Sequence, residues 1–216
     1  MILLSMFAVR VIFHLNISFM KEKWNQRYAA KDFVYGTEPN LFFKELIDKT
    51  KPGKLLLPAE GEGRNAVYAA SMGWEVHAFD YSTVAVNKGL DFAKSKGVTI
   101  NYFSGDFENF NTTEKFDLIA LLYTHMEPRL KKLFLGNLHN FLKPEGKIIA
   151  EFFSKEQIHN NTGGPQDIDL LYSLDEVKTL FSFMKQDLAV QETIWLEEGL
   201  LHVGKSDVIR LIMSNT

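Results

Sequence analysis

The chain has 216 residues and no cysteine, which excludes disulfides, thiolate metal sites and a cysteine nucleophile. It has no excess of positive charge either. Its 24 Lys and Arg face 27 Asp and Glu, for a net charge of −3. Without a basic patch there is no electrostatic footprint for a nucleic acid. The six histidines are scattered and form no H-E-x-x-H pair, so no metal is expected. There is no internal repeat and no linker long enough to divide the chain. Apolar residues make up 46%, ordinary for a globular protein, and the length suits one domain.

Uninterrupted apolar runs are also missing. The nearest approach is MILLSMFAVRVIFHLNISFM at residues 1–20, broken by Arg10, His14 and Asn16. A spanning helix needs about 20 nearly continuous apolar residues. A signal peptide would show a basic start and a small-residue cleavage site, and neither is evident. Residues 1–19 therefore read first as an N-terminal extension. An oligomer-contact segment is a second reading and a membrane anchor a weaker third. Residues 20–216 read as a single domain, with 20–53 forming a helical cap over the sheet edge that carries the loops.

What is present is an alternation of short apolar runs and longer amphipathic ones. KLLLP, WEVHAFD, VTINYFSGD, FDLIALLY and GKIIAEFF read as strands. Helices are expected after Gly61, from the N-cap Ser82 towards Ser95, over Arg129 to Leu142, and from the N-cap Ser173 over Leu174 to Met184. Two further strands are expected around Leu188 to Trp195 and Ser206 to Ile212. The segment between them is too short for a helical crossover, so that pair should be antiparallel. The pattern predicts a three-layer α/β fold with a mostly parallel sheet and a terminal hairpin.

The first strand runs into P-A-E-G-E-G-R-N-A. Gly61 and Gly63 permit a tight turn and close backbone approach. The helix that follows offers unpaired N–H groups to a polar or anionic ligand. Asp80 ends the next strand, where a carboxylate meets ribose hydroxyls in open α/β sheets. Asp106 ends the third strand on the same edge. Together they describe a nucleoside site. The residues alone leave two readings of such a site open. Gly61-x-Gly63-x-x-Ala66 also fits the relaxed dinucleotide fingerprint of a nicotinamide-dependent oxidoreductase. A nucleoside-binding protein without activity fits as well. Against the oxidoreductase stand Asp106 and the lack of a hydride-transfer constellation.

EGEGRNAVYAASMGWEVHAFDYS resembles the core of the class I S-adenosylmethionine-dependent methyltransferases. WNQRYAAKDFVYGTEPN, GDFENF and FDLIALLYTHMEP are similar to the TehB-like, tellurite-resistance branch, near the thiopurine methyltransferases. The resemblance spans about residues 22 to 213. It implies a Rossmann-like sheet of seven strands with the last antiparallel, and S-adenosylmethionine as cofactor with S-adenosylhomocysteine as product. It implies that Asp80 binds the ribose and that Asp106 and Phe107 hold the adenine. The Gly61–Gly63 loop would lie against the methionine part, under a lid of Trp24, Arg27, Tyr28, Tyr35 and Gly36. Pro58, Ala59, Glu60, Arg64 and Asn65 of the loop, with Tyr81, Ser82 and Leu122, complete the implied cofactor contacts.

The chain departs from the family loop at three positions. Leu57 stands where an acidic residue is usual, Ala59 replaces the first glycine, and Glu60 replaces a cysteine. Glu60 is expected to supply the missing carboxylate to the cofactor's ammonium. Tyr28, Tyr123 and His125 are the candidates for the catalytic wall, Tyr35 also facing the acceptor, and Glu151 and His202 are weaker ones. For His202 a surface-loop position is favoured. The Gly163–Pro165 loop is either a substrate cover or an ordinary turn. The resemblance suggests a small soft methyl acceptor: a chalcogen oxyanion, a thiol or a thiopurine-like molecule. A cytoplasmic monomer or homodimer, with no membrane partner, completes the expectation.

Overall fold

The computed structural model describes residues 20–215, so the expectations for residues 1–19 lie outside the described residues. Seven strands form one sheet in the order β3-β2-β1-β4-β5-β7-β6. They are β1 (Lys54–Pro58), β2 (Glu75–Asp80), β3 (Asn101–Ser104), β4 (Phe116–Leu122), β5 (Leu142–Phe153), β6 (Lys185–Glu198) and β7 (His202–Ser214). The first five pair parallel, and β7 runs antiparallel to both β5 and β6. This is the sheet expected from the sequence.

The central strands are apolar because both faces are covered. Successive side chains of a strand point to opposite faces. Leu56 thus joins one core with Ile119, Leu121, Ile148 and Phe152, while Leu55 and Leu57 join the other with Leu118, Ala120 and Ala66. Each fully buried leucine of this kind stabilises the fold by about 1.5–3 kcal/mol.

The helices are α1 (residues 20–28 described), α2 (Leu41–Ile47), α3 (Arg64–Ser71), α4 (Thr83–Ser95), α5 (Pro128–Leu130) and α6 (Leu174–Leu180). Ser82 caps α4 by accepting from the Ala85 amide, and Ser173 closes a capping box with Glu176 on α6. α1 and α2 are the described helices of residues 20–53.

Several boundaries differ from expectation, among them the start of β5, at Leu142 rather than Gly146, and the extent of β3, shortened to Asn101–Ser104. The helix read over Arg129 to Leu142 is broken into α5, a π-turn at Lys131–Leu135 and a 3-10 turn at Leu138–Phe141. The wider turn brings Lys131, Phe134 and Leu135 all under cover, and the buried Lys131 ammonium donates to the Leu171 carbonyl at 2.6 Å. α6 stops at Leu180, short of Met184. β6 and β7 extend well past their apolar stretches. Their added ends carry His202, which lines a cleft, and Glu198, which pairs with the buried Arg64, so polarity there does not mark the end of the strands. Among the described residues no helix is long and apolar enough to cross a membrane.

Candidate functional site

A cleft of about 820 Å³, its open mouth included, lies at the C-terminal ends of β1, β2 and β4. Strand order reverses between β1 and β4, so the loops leaving them diverge and a crevice must form there. Two non-glycine residues with left-handed backbone flank it, Ala59 after β1 (φ 55°) and Tyr123 after β4 (φ 50°). Backbone strain of this kind concentrates at working sites.

The loop from Ala59 to Gly63 forms the floor. Gly63 has φ +86°, and a Cβ there would sit 2.9 Å from Gly89 of α4. The Tyr102 hydroxyl donates to the Gly61 carbonyl and anchors the loop. Glu60 lines the cleft and also has a task within the fold. Its Oε1 accepts from the amides of Asn65 and Ala66, both at 2.8 Å, and its Oε2 from the Asn65 side chain at 3.2 Å. The carboxylate therefore caps α3 from within the loop. It satisfies N–H groups that the sequence left open for a ligand, and both its oxygens are engaged. Burial pushes the Glu60 carboxyl up to about 7, against the pull of these bonds.

Asp80 forms the next wall. Its Oδ2 accepts from the Gly61 amide at 2.9 Å and its Oδ1 from the Ser82 amide at 2.8 Å. Burial pushes its carboxyl up to about 6. Tyr81 and Phe107 meet edge to face at 5.6 Å and make an apolar slot beside it. Asp106 lies outside the wall and holds the turn that presents Phe107, accepting from the amides of Glu108 (3.0 Å) and Asn109 (2.8 Å).

An aromatic lid covers this floor. Trp24 stacks on Tyr28 at 5.5 Å, and Arg27 lies over Trp24 and donates to the Tyr35 hydroxyl at 2.9 Å. Glu62 and Lys88 fasten the lid from below. Glu62 accepts from the Val34 amide at 2.8 Å and pairs with Lys88 at 2.5 Å, while Lys88 donates to the carbonyls of Ala30 and Asp32. Burial pushes the Tyr28 phenol well above its ordinary value, so it stays protonated.

The far end of the cleft holds Tyr123, His125 and His202. The Tyr123 hydroxyl donates to Glu151 at 2.6 Å. The fully buried Glu151 also accepts from Asn40 at 2.6 Å and Arg210 at 2.5 Å, so its role is to hold the wall. Burial pushes His125 down to about 3. His202 is not a surface-loop residue. It is 5% exposed, lines the cleft, and packs against Tyr35 at 4.5 Å and Tyr123 at 4.8 Å. The Gly163–Pro165 loop lies outside the lining, but Gly163 backs directly onto the His202 ring.

Residues 58–146 match the family model described as a methyltransferase domain. The chain carries a class I S-adenosylmethionine-dependent methyltransferase domain. Similar solved structures share the fold. One, described for the conversion of a disulfide bond into a thioacetal group during echinomycin biosynthesis, is 16% identical, covers 91% of this chain and 92% of its own, and has a TM-score of 0.73. TehB from Haemophilus influenzae is 12% identical over 91% of this chain and 67% of its own, with a TM-score of 0.69. The N-methyltransferase NodS from Bradyrhizobium japonicum WM9, in complex with S-adenosylhomocysteine, is 14% identical over 90% and 97%, with a TM-score of 0.67. No curated protein sequence matches the chain. TehB is thus one distant neighbour among 1027 matching chains, and no acceptor follows from the likeness.

The methyltransferase domain sets the nicotinamide reading aside. Its cleft gathers most of the residues singled out in the sequence: Trp24, Tyr28, Tyr35 and Gly36 from the lid, Ala59 to Gly61 with Arg64 and Asn65 from the loop, and Asp80, Tyr81, Phe107, Leu122, Tyr123 and His125 beyond it. Arg27, Pro58, Gly63, Ser82 and Asp106 stand behind that wall and shape it. Asn40 and Glu62 fall inside the quoted motifs but were given no role there, and Lys88 and Glu198 were not singled out. Glu198 left a signal of its own, a charged residue beside a glycine turn at the end of an apolar strand. The donor set fits the cofactor class: Asp80 is a buried carboxylate with two backbone partners among the described residues, and its remaining lone pairs suit a pair of hydroxyl donors.

Proposed function

We propose that this methyltransferase acts on a small soft acceptor, a chalcogen oxyanion, a thiol or a thiopurine-like molecule. The observation that carries the reading is the buried Asp80 carboxylate facing an aromatic-walled cleft at the sheet's switch point. In this reading Asp80 accepts from the ribose hydroxyls, and Phe107 and Tyr81 pack against the adenine. Asp106 keeps the Phe107 turn in place. The Gly61–Gly63 loop lies along the methionine part, with Arg64 and Asn65 at its end.

When bound, S-adenosylmethionine supplies an electrophilic methyl group on a sulfonium centre. The chain's own part is to position and to exclude water. Trp24, Tyr28 and Tyr35 close over the cleft, and their π faces suit a sulfonium charge. Tyr123 and His125 border the acceptor end as neutral groups, since burial pushes the Tyr123 phenol far up and holds His125 at about 3. A cytoplasmic monomer or homodimer agrees with the reading.

The test is calorimetric titration with S-adenosylhomocysteine and with NADH, followed by methyl transfer from labelled S-adenosylmethionine to tellurite, selenite and a thiol panel. Binding of S-adenosylhomocysteine with transfer to one of these acceptors is expected. Binding of NADH alone, or of neither ligand, would overturn the reading.

A further inference from the structure

His202 is a polar group of the cleft wall that takes no part in the proposed cofactor contacts. His202 and Glu198 face each other as the last cross-strand pair of the β6–β7 hairpin. The imidazole Nδ1 lies 3.2 Å from Glu198 Oε2. That oxygen also accepts from Arg64 at 2.8 Å, while Oε1 accepts from Asn40 at 3.3 Å. An ionised carboxylate only accepts, so the imidazole proton resides on Nδ1 and the Nε2 lone pair is left over. Nε2 has no hydrogen-bond partner among the described residues and is not fully buried, and its residue lines the cleft. The ring cannot swing away. Tyr35 and Tyr123 flank it, Phe153 meets it edge-on at 5.3 Å, and a Cβ on Gly163 would lie 2.6 Å from its Cδ2.

We propose that His202, oriented by Glu198, is the general base of methyl transfer, and that the acceptor carries a proton on its nucleophilic atom, as a thiol does at neutral pH. The inference rests on the methyl-transfer reading and selects within its acceptors, since a chalcogen oxyanion needs no base. A nucleophile, a base hydrogen-bonded to an orienting carboxylate and a neutral resting state are what proton removal requires.

The groups facing the imidazole set that resting state. Burial lowers its proton affinity most, Glu198 and Glu151 raise it, and Arg64 lowers it again, leaving the net shift downward. Tyr35, Tyr123 and His125 complete its surroundings. The other wall groups serve less well. Both Glu60 oxygens are bound to α3, Asp80 is taken by the ribose in this reading, the Tyr28 and Tyr123 phenols stay protonated, and burial leaves His125, with no orienting partner among the described residues, too weak a base.

In the step itself the acceptor S–H proton passes to His202 Nε2. The sulfur electron pair forms the new S–C bond to the methyl carbon. The methyl–sulfonium bond breaks, its electron pair staying on the departing thioether sulfur. The imidazolium then returns its proton to water.

Two probe thiols separate this from a packing role. Benzyl mercaptan is protonated at neutral pH and 4-nitrothiophenol is ionised. His202→Gln should lower kcat/KM for benzyl mercaptan by roughly 10²- to 10⁴-fold and leave 4-nitrothiophenol nearly unchanged. Its affinity for S-adenosylhomocysteine, measured by calorimetry, should persist and reports that the variant is folded. Nitrogen NMR of the wild-type protein supplies a readout without turnover. His202 should be neutral at pH 7 with the proton on Nδ1, and Glu198→Gln should abolish that tautomer preference. An equal loss on both thiols, no loss on either, an Nε2–H tautomer, or methylation of neither thiol by protein that binds S-adenosylhomocysteine would overturn the proposal. Failure of the wild type to bind S-adenosylhomocysteine would instead strike the methyl-transfer reading.

Discussion

Arg64, the first residue of α3, reaches Glu198 at the end of β6 with an N–O distance of 2.8 Å, and both side chains are only 8% exposed. The pair ties the glycine loop to the terminal hairpin and so sets one end of the cleft. Removing one partner strands the other charge in a low-dielectric site. Arg64→Met or Glu198→Gln alone should cost about 3–5 kcal/mol in urea denaturation. The double variant should recover a good part of that loss, because no unpaired charge remains.

Asp80 should govern cofactor affinity. A hydrogen bond to a charged group contributes about 1.5–3 kcal/mol, so Asp80→Ala should weaken S-adenosylhomocysteine binding roughly 10- to 100-fold by calorimetry. The ionised form is the stronger acceptor, and burial places its titration at about 6. Wild-type affinity should therefore fall as pH drops from 7 to 5.

Glu60 should leave its mark on stability against pH. Burial raises its folded value to about 7 from 4.5, so between those values the folded state binds more protons than the unfolded one. Stability then falls as pH rises through this window, by up to about 3 kcal/mol for this group. Glu60→Gln keeps an oxygen acceptor for the α3 amides and removes the titration. Thermal melts from pH 4 to 8 should show a shallower decline in the variant.

Ala59 occupies a glycine's conformation, with φ 55°. Left-handed backbone costs an L-residue about 1–2 kcal/mol, part of which glycine gives back as unfolded-chain entropy. Ala59→Gly should raise stability by about 0.5–1 kcal/mol in urea denaturation without loss of S-adenosylhomocysteine binding.

The strand–helix alternation, the antiparallel hairpin and the caps at Ser82 and Ser173 were legible in the sequence by itself. They rest on local periodicity and on side chains that bond within a few residues. Asp80 and the glycine loop were legible for the same reason, because strand ends in a parallel sheet share one edge. The role of Glu60, the withdrawal of Asp106 from the cleft wall and the burial of His202 were decided only by the tertiary structure. Each depends on partners that chain order does not place. Glu60 turns onto α3 because the loop is folded tightly enough to bring helix amides to its carboxylate. His202 lies inside because β7 pairs between β5 and β6, which carries a hairpin tip from the end of the chain against the lid formed near its start.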